Sequence, residues 1–417
     1  MNKYIIITND IHMLGGGQLY TGAKSNYMLS KGFEVYVLYY EKNINSKIYV
    51  ESLKLYKDFF YKWMQYPTYM YSFKKQNKYI QNLLEIINYN INDCVYIESN
   101  TVTASTWAEE LAKATNGTHL AYILSERFSL NSSELSFFKY KYDQNKLFGT
   151  NKQSIKNMFG NLFDANKMEG RFLSAEYENN ISGECIPFPF DVDSYDYRIG
   201  ILSRLDKHFI IPTVKEVLEF ASKYSDFRFV LVIIGGTDVK SELEPFERMF
   251  ASCSNIDFYC TGPRYPIPVN WLTNMNVVIA TAGSVWCSES ANVPTISMCV
   301  QNDKPFGIFN YTTTSTRDAD DNSDFTVSLS EYMKMVLFEG YCKENGKLLF
   351  LPTWKDFDYK KVENEYEKHI EIMMCKDNGY YNTRLIKKSS KEKLIIRLVQ
   401  NYSFRMMFHR LKIILGK

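Results

Sequence analysis

Strand-like and helix-like segments alternate from the first residues, and this alternation limits the possible folds more than any other feature. KYIIITND (residues 3–10) contains the apolar run of a buried strand, a glycine-rich loop and a helical pattern over Gln18–Ser30 follow, and FEVYVLYY (33–40) is the next strand. A strand–helix–strand unit with a right-handed crossover predicts a parallel sheet. We therefore expect an α/β protein built from doubly wound parallel sheets.

The alternation pauses near the middle of the chain and then restarts. Residues 52–90 are rich in aromatic side chains and are predicted helical, and residues 127–165 are predicted as mixed helix and loop. ECIPFPFDVDSY (184–195) has two prolines in three positions, which suit neither a helix nor a central strand, so we interpret it as a linker.

After this linker, strands and helices alternate again up to PTISMCV (294–300). The sequence thus predicts two Rossmann-like domains, 1–187 and 188–375, that face a ligand cleft at the carboxyl ends of their strands. The remaining residues, 376–417, are predicted to be helices that cross back to the first domain.

Composition excludes several classes of protein. The 417 residues suit two domains, and a hydrophobic content of 45% is enough for full cores. A net charge of +2 predicts no general attraction to nucleic acid. No apolar stretch approaches the length of a membrane span, and the first one is too short for a signal peptide. The eight cysteines form no C-x-x-C pair, which is typical of reduced thiols in a cytoplasmic protein without a zinc site.

The C-terminus is basic and amphipathic. Residues 384–417 contain ten Lys or Arg and one acid, Glu392, with apolar residues interleaved at roughly helical spacing. Such a segment predicts contact with the anionic inner face of the cell membrane. The alternative, left open here, is that Tyr380–Ile396 packs its apolar face on the first domain.

The stretch GGGQLYTGAKS (15–25) resembles a phosphate-binding P-loop but departs from it by one residue. If the helix begins near Gln18, Lys24 and Ser25 lie in mid-helix, where backbone N–H groups are already bonded. A dinucleotide-binding G-x-G-x-x-G is also absent. We instead expect Gly15–Gly17 to form a mobile loop that approaches a ligand closely, and Gly22 to allow tight packing of the helix on the sheet.

Two stretches of the second half could bind a diphosphate. In ILSRLDKHF, Arg204 and Lys207 follow a strand and could neutralise phosphates, or could be a solvated pair. In ATAGSVWCSES, a strand, a turn and a helix start follow one another, which offers free N–H groups to an anion. Glu289 in that helix could accept hydrogen bonds from ribose hydroxyls, or could be an ordinary surface residue.

These stretches, in this order, resemble a GT-B glycosyltransferase of the retaining family-4 group. KGFEV, IPFPFD, SRLDK, VLVIIGG, FYCTG and SESANVPTI each stand where that family has a related motif, and the resemblance spans nearly the whole chain. It implies that Arg204 and Lys207 grip the donor diphosphate as catalytic residues, and that Glu289 holds the ribose. The other donor-binding residues that it implies are Gly16, Gly17, Gly236, Thr261, Gly262, Arg264, Gly283, Ser284 and Val285.

The resemblance also has departures. The first glutamate of the family's pair is Thr281 here, and Lys207 follows the arginine more closely than usual. On the acceptor side, the family often has a histidine where this chain has Glu126, so His12, His119 and Glu126 are the candidates.

The expected function is metal-independent retaining transfer from a nucleotide-sugar co-substrate, with no further cofactor. The acceptor would be a glycan or lipid-linked glycan of bacterial surface polysaccharide: capsule, O-antigen or lipopolysaccharide. A nucleotide-sugar 2-epimerase and a non-catalytic partner subunit of a transferase are the open alternatives.

Overall fold

The computed structural model describes most of the chain in two compact units. It describes residues 1–12, 15–41, 56–124, 130, 132–150, 152–159, 173, 181–317, 319, 323–344, 347–349, 359–375, 379–387 and 393–394. Described residues within 1–173 and 359–394 form the first unit, and those within 181–349 form the second.

In the first unit, a wholly parallel sheet lies between helices. Among its described residues the strands are β1 (Asn2–Thr8), β2 (Glu34–Tyr39), β3 (Lys57–Phe60), β4 (Cys94–Ser99), β5 (Thr118–Ile123) and β6 (Leu147–Gly149), in the order β3-β2-β1-β4-β5-β6. In the first segment of this unit, residues 1–173, the described helices are α1 (Gly16–Ser30), α2 (Phe73–Ile86), α3 (Val102–Thr115), α4 (Ser132–Asp143) and α5 (Lys152–Phe159).

The second unit repeats this strand order. Its described strands are β7 (Ile181–Ser182), β8 (Tyr197–Ser203), β9 (Phe229–Gly235), β10 (Ile256–Cys260), β11 (Ile267–Pro268), β12 (Val277–Ala280), β13 (Thr295–Met298), β14 (Pro305–Ile308), β15 (Lys343–Glu344) and β16 (Lys347–Leu348). The main sheet runs β10-β9-β8-β12-β13-β14, and only its edge strand β14 is antiparallel. The helices are α6 (Ile210–Lys223), α7 (Lys240–Phe250), α8 (Val269–Thr273), α9 (Gly283–Ser290) and α10 (Leu329–Leu337).

Continuous apolar strands explain both sheets. All of β12 and six of the seven residues of β1 and of β9 are buried. A parallel strand covered by helices on both faces needs this composition rather than alternation of apolar and polar residues. The predicted fold class, two Rossmann-like parallel-sheet domains, is therefore confirmed.

A final helix, α11 (Tyr359–Met374), returns to the first unit. Tyr366 and Met373 of this helix are buried in a core cluster with Tyr4 and Tyr20. A short 3₁₀ turn at Thr383–Leu385 follows and packs on the same unit. The sequence boundary at residue 376 had placed α11 with the second domain instead. Residues 395–417, most of the predicted basic tail, lie outside the described residues.

Several local predictions were wrong. Residues 56–72 hold β3 and two 3₁₀ turns rather than a helix, because β3 is a half-exposed edge strand without the apolar run that marks buried strands. Helix α1 begins at Gly16, so Gly16 and Gly17 lie in its first turn rather than in a loop. A side chain at Gly22 would meet open space, so Gly22 is not needed for close helix packing.

Within the described part of the chain, no helix is both long and apolar enough to cross a membrane.

Candidate functional site

The most informative region of the second unit lies where its strand order reverses, between β8 and β12. Open α/β sheets bind ligands at such a point, beyond the carboxyl ends of the strands. Leu202 of β8 is paired with Ala280 of β12. Arg204 and Ala282 therefore leave the two neighbouring strands at the same level, two residues further along.

Arg204 is partly buried and is paired with an acid of its own loop. Its Nη2 donates a hydrogen bond of 3.1 Å to Asp206 Oδ2, and its Nε lies 3.0 Å from Asp206 Oδ1 without hydrogen-bonding alignment. Lys207, in the same loop, is exposed. An anion that approaches the Nε and Nη2 side of the Arg204 guanidinium would compete with the Asp206 carboxylate.

Ala282 is strained at the start of α9. Its φ is 52° and its ψ is −132°, a backbone conformation that residues with a side chain rarely adopt. The Ala282 N–H donates to Thr316 O at 2.6 Å, which holds the turn in place. Strain of this kind costs of order 1–3 kcal/mol and collects at functional sites.

The amide groups behind Ala282 are less free than the sequence suggests. Ser284 N–H donates to Thr281 O at 3.2 Å and Val285 N–H donates to Ala282 O at 3.0 Å, both within the first turn of α9. Gly283, Ser284 and Val285 are the residues whose N–H groups are predicted to donate to an anion, and Gly283 is the first residue of the helix. The positive end of the helix dipole still lies beside Arg204's strand.

The two positions that match the family's glutamate pair differ in chemistry. Glu289 is in the last turn of α9 and is only 9% exposed. Thr281 is also nearly buried, and its hydroxyl donates to Thr316 O at 3.3 Å. The Thr281 position therefore carries a hydroxyl tied to the backbone, where the resemblance expects a carboxylate that contacts the sugar.

Glycines hold three loops of this edge together. Gly235, Gly236 and Gly262 all have positive φ, and an isolated bridge joins Gly235, the last residue of β9, to Gly262 in the loop after β10. Gly236 N–H donates to Ser203 O at 2.8 Å. A Cβ on Gly236 would lie 2.5 Å from Cys260 Sγ, so no larger residue fits without displacement. The VLVIIGG motif thus shapes the floor of the candidate site.

Three of the residues predicted to bind the donor, Thr261, Gly262 and Arg264, follow β10. Thr261 Oγ1 accepts a 3.0 Å hydrogen bond from Gly235 N–H and donates one of 2.8 Å to Gly262 O. Arg264 is exposed, and its Nη2 lies 3.0 and 2.9 Å from the two carboxylate oxygens of Glu184. A base that stacks on or pairs with Arg264 would compete with this surface ion pair.

The first unit has its own strand reversal, between β1 and β4, where Ile7 is paired with Ser99. His12 follows β1 and is 8% exposed. Its ring Nε2 is 3.0 Å from Tyr39 OH, and its backbone N–H donates to Asp10 Oδ1 at 2.9 Å. Helix α1 begins beside this segment, with Gly15 as an N-cap that has no capping side chain.

Asn100, directly after β4, was not predicted from the sequence. It is 4% exposed, and neither atom of its side-chain amide has a hydrogen-bond partner among the described residues. A buried amide without partners costs free energy, so such a group needs an explanation. The available signal was an asparagine directly after an apolar strand, at the edge where ligands bind.

His119 lies in the interior and not at this edge. It is fully buried, with Nε2 2.7 Å from Ser99 Oγ and Nδ1 2.8 Å from Glu109 Oε2. Burial raises the pKa of Glu109, but Lys141, 3.0 Å away, and His119 outweigh it and hold the pKa at about 2. The structure thus shows His119 paired with two buried side chains and without exposed surface. Glu126 lies outside the described residues.

Among the residues that the structure describes, no three His, Cys, Asp or Glu side chains are grouped so that they could hold a metal ion.

Comparisons with known proteins found similar structures but no similar sequence family. No family model and no curated protein matches the sequence. A glycosyltransferase from Rickettsia africae superimposes with a TM-score of 0.50 at 13% identity, covering 95% of this chain and 99% of that one. The lipopolysaccharide outer core galactosyltransferase WaaB gives a TM-score of 0.45 at 13% identity over 95% and 100% of the two chains.

UDP-GlcNAc 2-epimerase from Neisseria meningitidis gives a TM-score of 0.44 at 11% identity, covering 90% of this chain and 100% of that one. At such low identities a structural likeness supports a fold and leaves the reaction open. With its two Rossmann-like units of identical strand order, this chain has the GT-B fold.

Proposed function

We propose that the protein is a glycosyltransferase that uses a nucleotide-diphosphate sugar and binds the diphosphate at the strand reversal of the second unit. One observation carries this proposal: Arg204 and the strained Ala282 at the start of α9 follow neighbouring strands at the same distance from the paired residues Leu202 and Ala280. A guanidinium and a helix N-terminus that follow neighbouring strands at one edge of a sheet are suited to a group whose negative charge grows as its bond breaks.

In the proposed reaction, an acceptor hydroxyl attacks the anomeric carbon from the face that the diphosphate leaves. The bond from that carbon to the diphosphate oxygen breaks with its electron pair, and the hydroxyl proton passes to a departing phosphate oxygen. The products are a glycoside of retained configuration and a nucleoside diphosphate. Arg204 and Lys207 neutralise the leaving group, a task that we propose needs no metal ion.

Asp206 adds a condition to this step. Its carboxylate forms an ion pair with the Arg204 guanidinium in the free protein. A donor diphosphate that bound the same two nitrogens would exchange one anion for another, so this cation would be paired in both states. The neutral Thr281 hydroxyl, where the family resemblance expects an acid, would make a different contact with the sugar and so alter the choice of donor.

For the acceptor, we propose a glycan or lipid-linked glycan in the synthesis of bacterial surface polysaccharide. Support comes from the basic amphipathic sequence of residues 384–417, which suits the anionic inner membrane surface where such acceptors are built. The protein would then act in the cytoplasm or at the inner face of the membrane.

The test measures turnover of a panel of nucleotide sugars. The readout is the release of nucleoside diphosphate, with and without candidate acceptors. Arg204→Ala should lower kcat by roughly 10²–10³, the usual loss for one electrostatic contact to the transition state. Arg248→Ala, which removes an exposed arginine of α7, is the matched control and should leave turnover unchanged.

Unchanged turnover in Arg204→Ala would refute the assignment of Arg204. Conversion of a donor to its 2-epimer without any acceptor would identify an epimerase of the same fold. If the folded wild-type chain turns over no donor in the panel, a non-catalytic partner subunit becomes the better explanation.

A further inference from the structure

Helix α2 of the first unit has an outer face that combines exposed apolar and basic side chains. Phe73, the first residue of α2, is 56% exposed, and Leu385 of the C-terminal 3₁₀ turn is 58% exposed. The Arg384 guanidinium carbon lies 3.7 Å from the centre of the Phe73 ring, so the two segments meet. Even with this cation stacked on it, more than half of Phe73 faces solvent.

The same end of α2 is strongly basic. Lys74, Lys75 and Lys78 are all exposed, and there is no acidic residue in the first turn. Cations at a helix N-terminus oppose the helix dipole, so the dipole does not explain this arrangement. Lys75 lies 5.3 Å from the centre of the Tyr71 ring, whereas Lys74 and Lys78 are exposed. Local sequence choices that work against stability are expected where a surface has a function. We call Phe73, Lys74, Lys75, Lys78, Arg384 and Leu385 the α2 face.

We propose that the α2 face docks on an anionic lipid surface. Lipid headgroups attract the four cations, and the exposed Phe73 and Leu385 side chains can enter the boundary between headgroups and acyl chains. This inference adds a structured contact to the membrane contact proposed for the tail. It rests on the proposed function only in that the membrane would carry the acceptor. Docking itself needs no catalysis.

Continuity of the chain supports the choice of a membrane. The 3₁₀ turn that carries Arg384 and Leu385 leads directly into residues 387–417, which hold nine further Lys or Arg and one acid. The α2 face and this basic segment are therefore joined by a few residues. A second copy of the same face is a poor partner because its cations would repel these. Nucleic acid could bind the cations through its phosphates, but it would leave the aliphatic side chain of Leu385 without an apolar partner.

The experiment is sedimentation of the full-length chain with vesicles of phosphatidylcholine alone or mixed with phosphatidylglycerol. Wild type should bind the mixed vesicles and bind the neutral ones far less. The triple variant Lys74→Ser, Lys75→Ser, Lys78→Ser should weaken binding to the mixed vesicles by about fivefold per cation, and at least about tenfold in total. Because these three side chains are exposed, the variant should remain folded.

The control variant removes three exposed lysines of the second unit, Lys215, Lys223 and Lys240, and so changes the net charge equally. It should bind as wild type does. Equal weakening in both triple variants would overturn the proposal, because net charge alone would then explain binding. Unweakened binding of the α2 variant would overturn it as well.

The apolar part of the α2 face has its own variant. Phe73→Ser should weaken binding to the mixed vesicles at high salt, where the attraction of the cations is screened. Turnover of soluble donor, measured in parallel, keeps the two proposals separate. An α2 variant that loses vesicle binding but keeps turnover supports the docking face, whereas wild type that binds vesicles without any turnover contradicts only the proposed function.

Discussion

Replacing the buried Lys24 by methionine should change how the stability of the protein depends on pH. Lys24 lies in mid-α1 and has no exposed surface; its Nζ donates to Tyr366 O at 3.1 Å and lies 4.4 Å from the centre of the Tyr366 ring. Methionine has a similar length and no charge, so it can occupy the same space with little repacking.

The structure sets the size of the effect. Burial lowers the pKa of Lys24 from 10.5 to about 7, although the nearby carboxylates Glu98 and Glu365 favour the charged form. Between these values the unfolded chain holds a proton that the folded protein has released, so the free energy of unfolding rises with pH in this window and falls as pH drops through it. The gap corresponds to roughly 4–5 kcal/mol across the whole window.

Urea unfolding from pH 7 to pH 9.5 gives the measurement. Relative to Lys24→Met, the wild type should gain roughly 3 kcal/mol of unfolding free energy over this range. Burial raises the pKa of Tyr4 and of Tyr20, and both residues are present in the two proteins, so their titration cancels in the comparison.

Lys31→Met is the control, since Lys31 directly follows the same helix but is exposed. Its hydrogen bond with Glu367 raises its pKa, which takes its titration out of the window. The stability of Lys31→Met should therefore run parallel to that of wild type. Parallel curves for Lys24→Met too would refute the reasoning, because they would mean that Lys24 keeps its proton when it is buried.

Three further substitutions test the geometry of the candidate site by urea unfolding. Gly236→Ala should lower the free energy of unfolding by about 1–3 kcal/mol more than Gly340→Ala, because the two glycines have similar positive φ but only the first would meet Cys260; equal losses would contradict the packing argument. Ala282→Gly should raise it by about 1 kcal/mol through relief of strain, and a loss of stability would argue against strain. Asn100→Leu, of similar branching, should also raise it by about 1 kcal/mol; a large loss would mean that the amide has a partner.

The fold could be predicted from the sequence because parallel strands buried on both faces need long apolar runs. YIIIT and VLVII show such runs, and each is a central strand in the structure. The short edge strand β3 has no such run, and the aromatic residues around it suit a helix equally well. The return of α11 to the first unit escaped the predicted boundary for another reason: Lys24 and Tyr366 are 342 residues apart, and no local pattern encodes their contact.

The site was predictable to the extent that chemistry follows strand ends. Arg204 and Gly283 could be located because a cation and a turn each stand directly after an apolar strand. The Asp206 partner of Arg204 and the strain at Ala282 could not, since both depend on side-chain and backbone angles that composition does not encode. The full burial of His119 could not be predicted either, because a buried histidine and an exposed one look the same in sequence.

Because the two sheets share one strand order, topology alone does not decide which unit would bind the proposed nucleotide-sugar donor. The side chains at the two strand reversals do differ. In the second unit the segment beside the start of α9 has two cations, Arg204 and Lys207, and one acid, Asp206. The corresponding segment of the first unit has the carboxylate of Asp10, which accepts a hydrogen bond from the backbone N–H of His12. A carboxylate repels a diphosphate and the neutral amide of Asn100 gives no compensating charge. We therefore infer that the anionic donor binds the second unit, and that the first unit is left with the neutral hydroxyls of an acceptor.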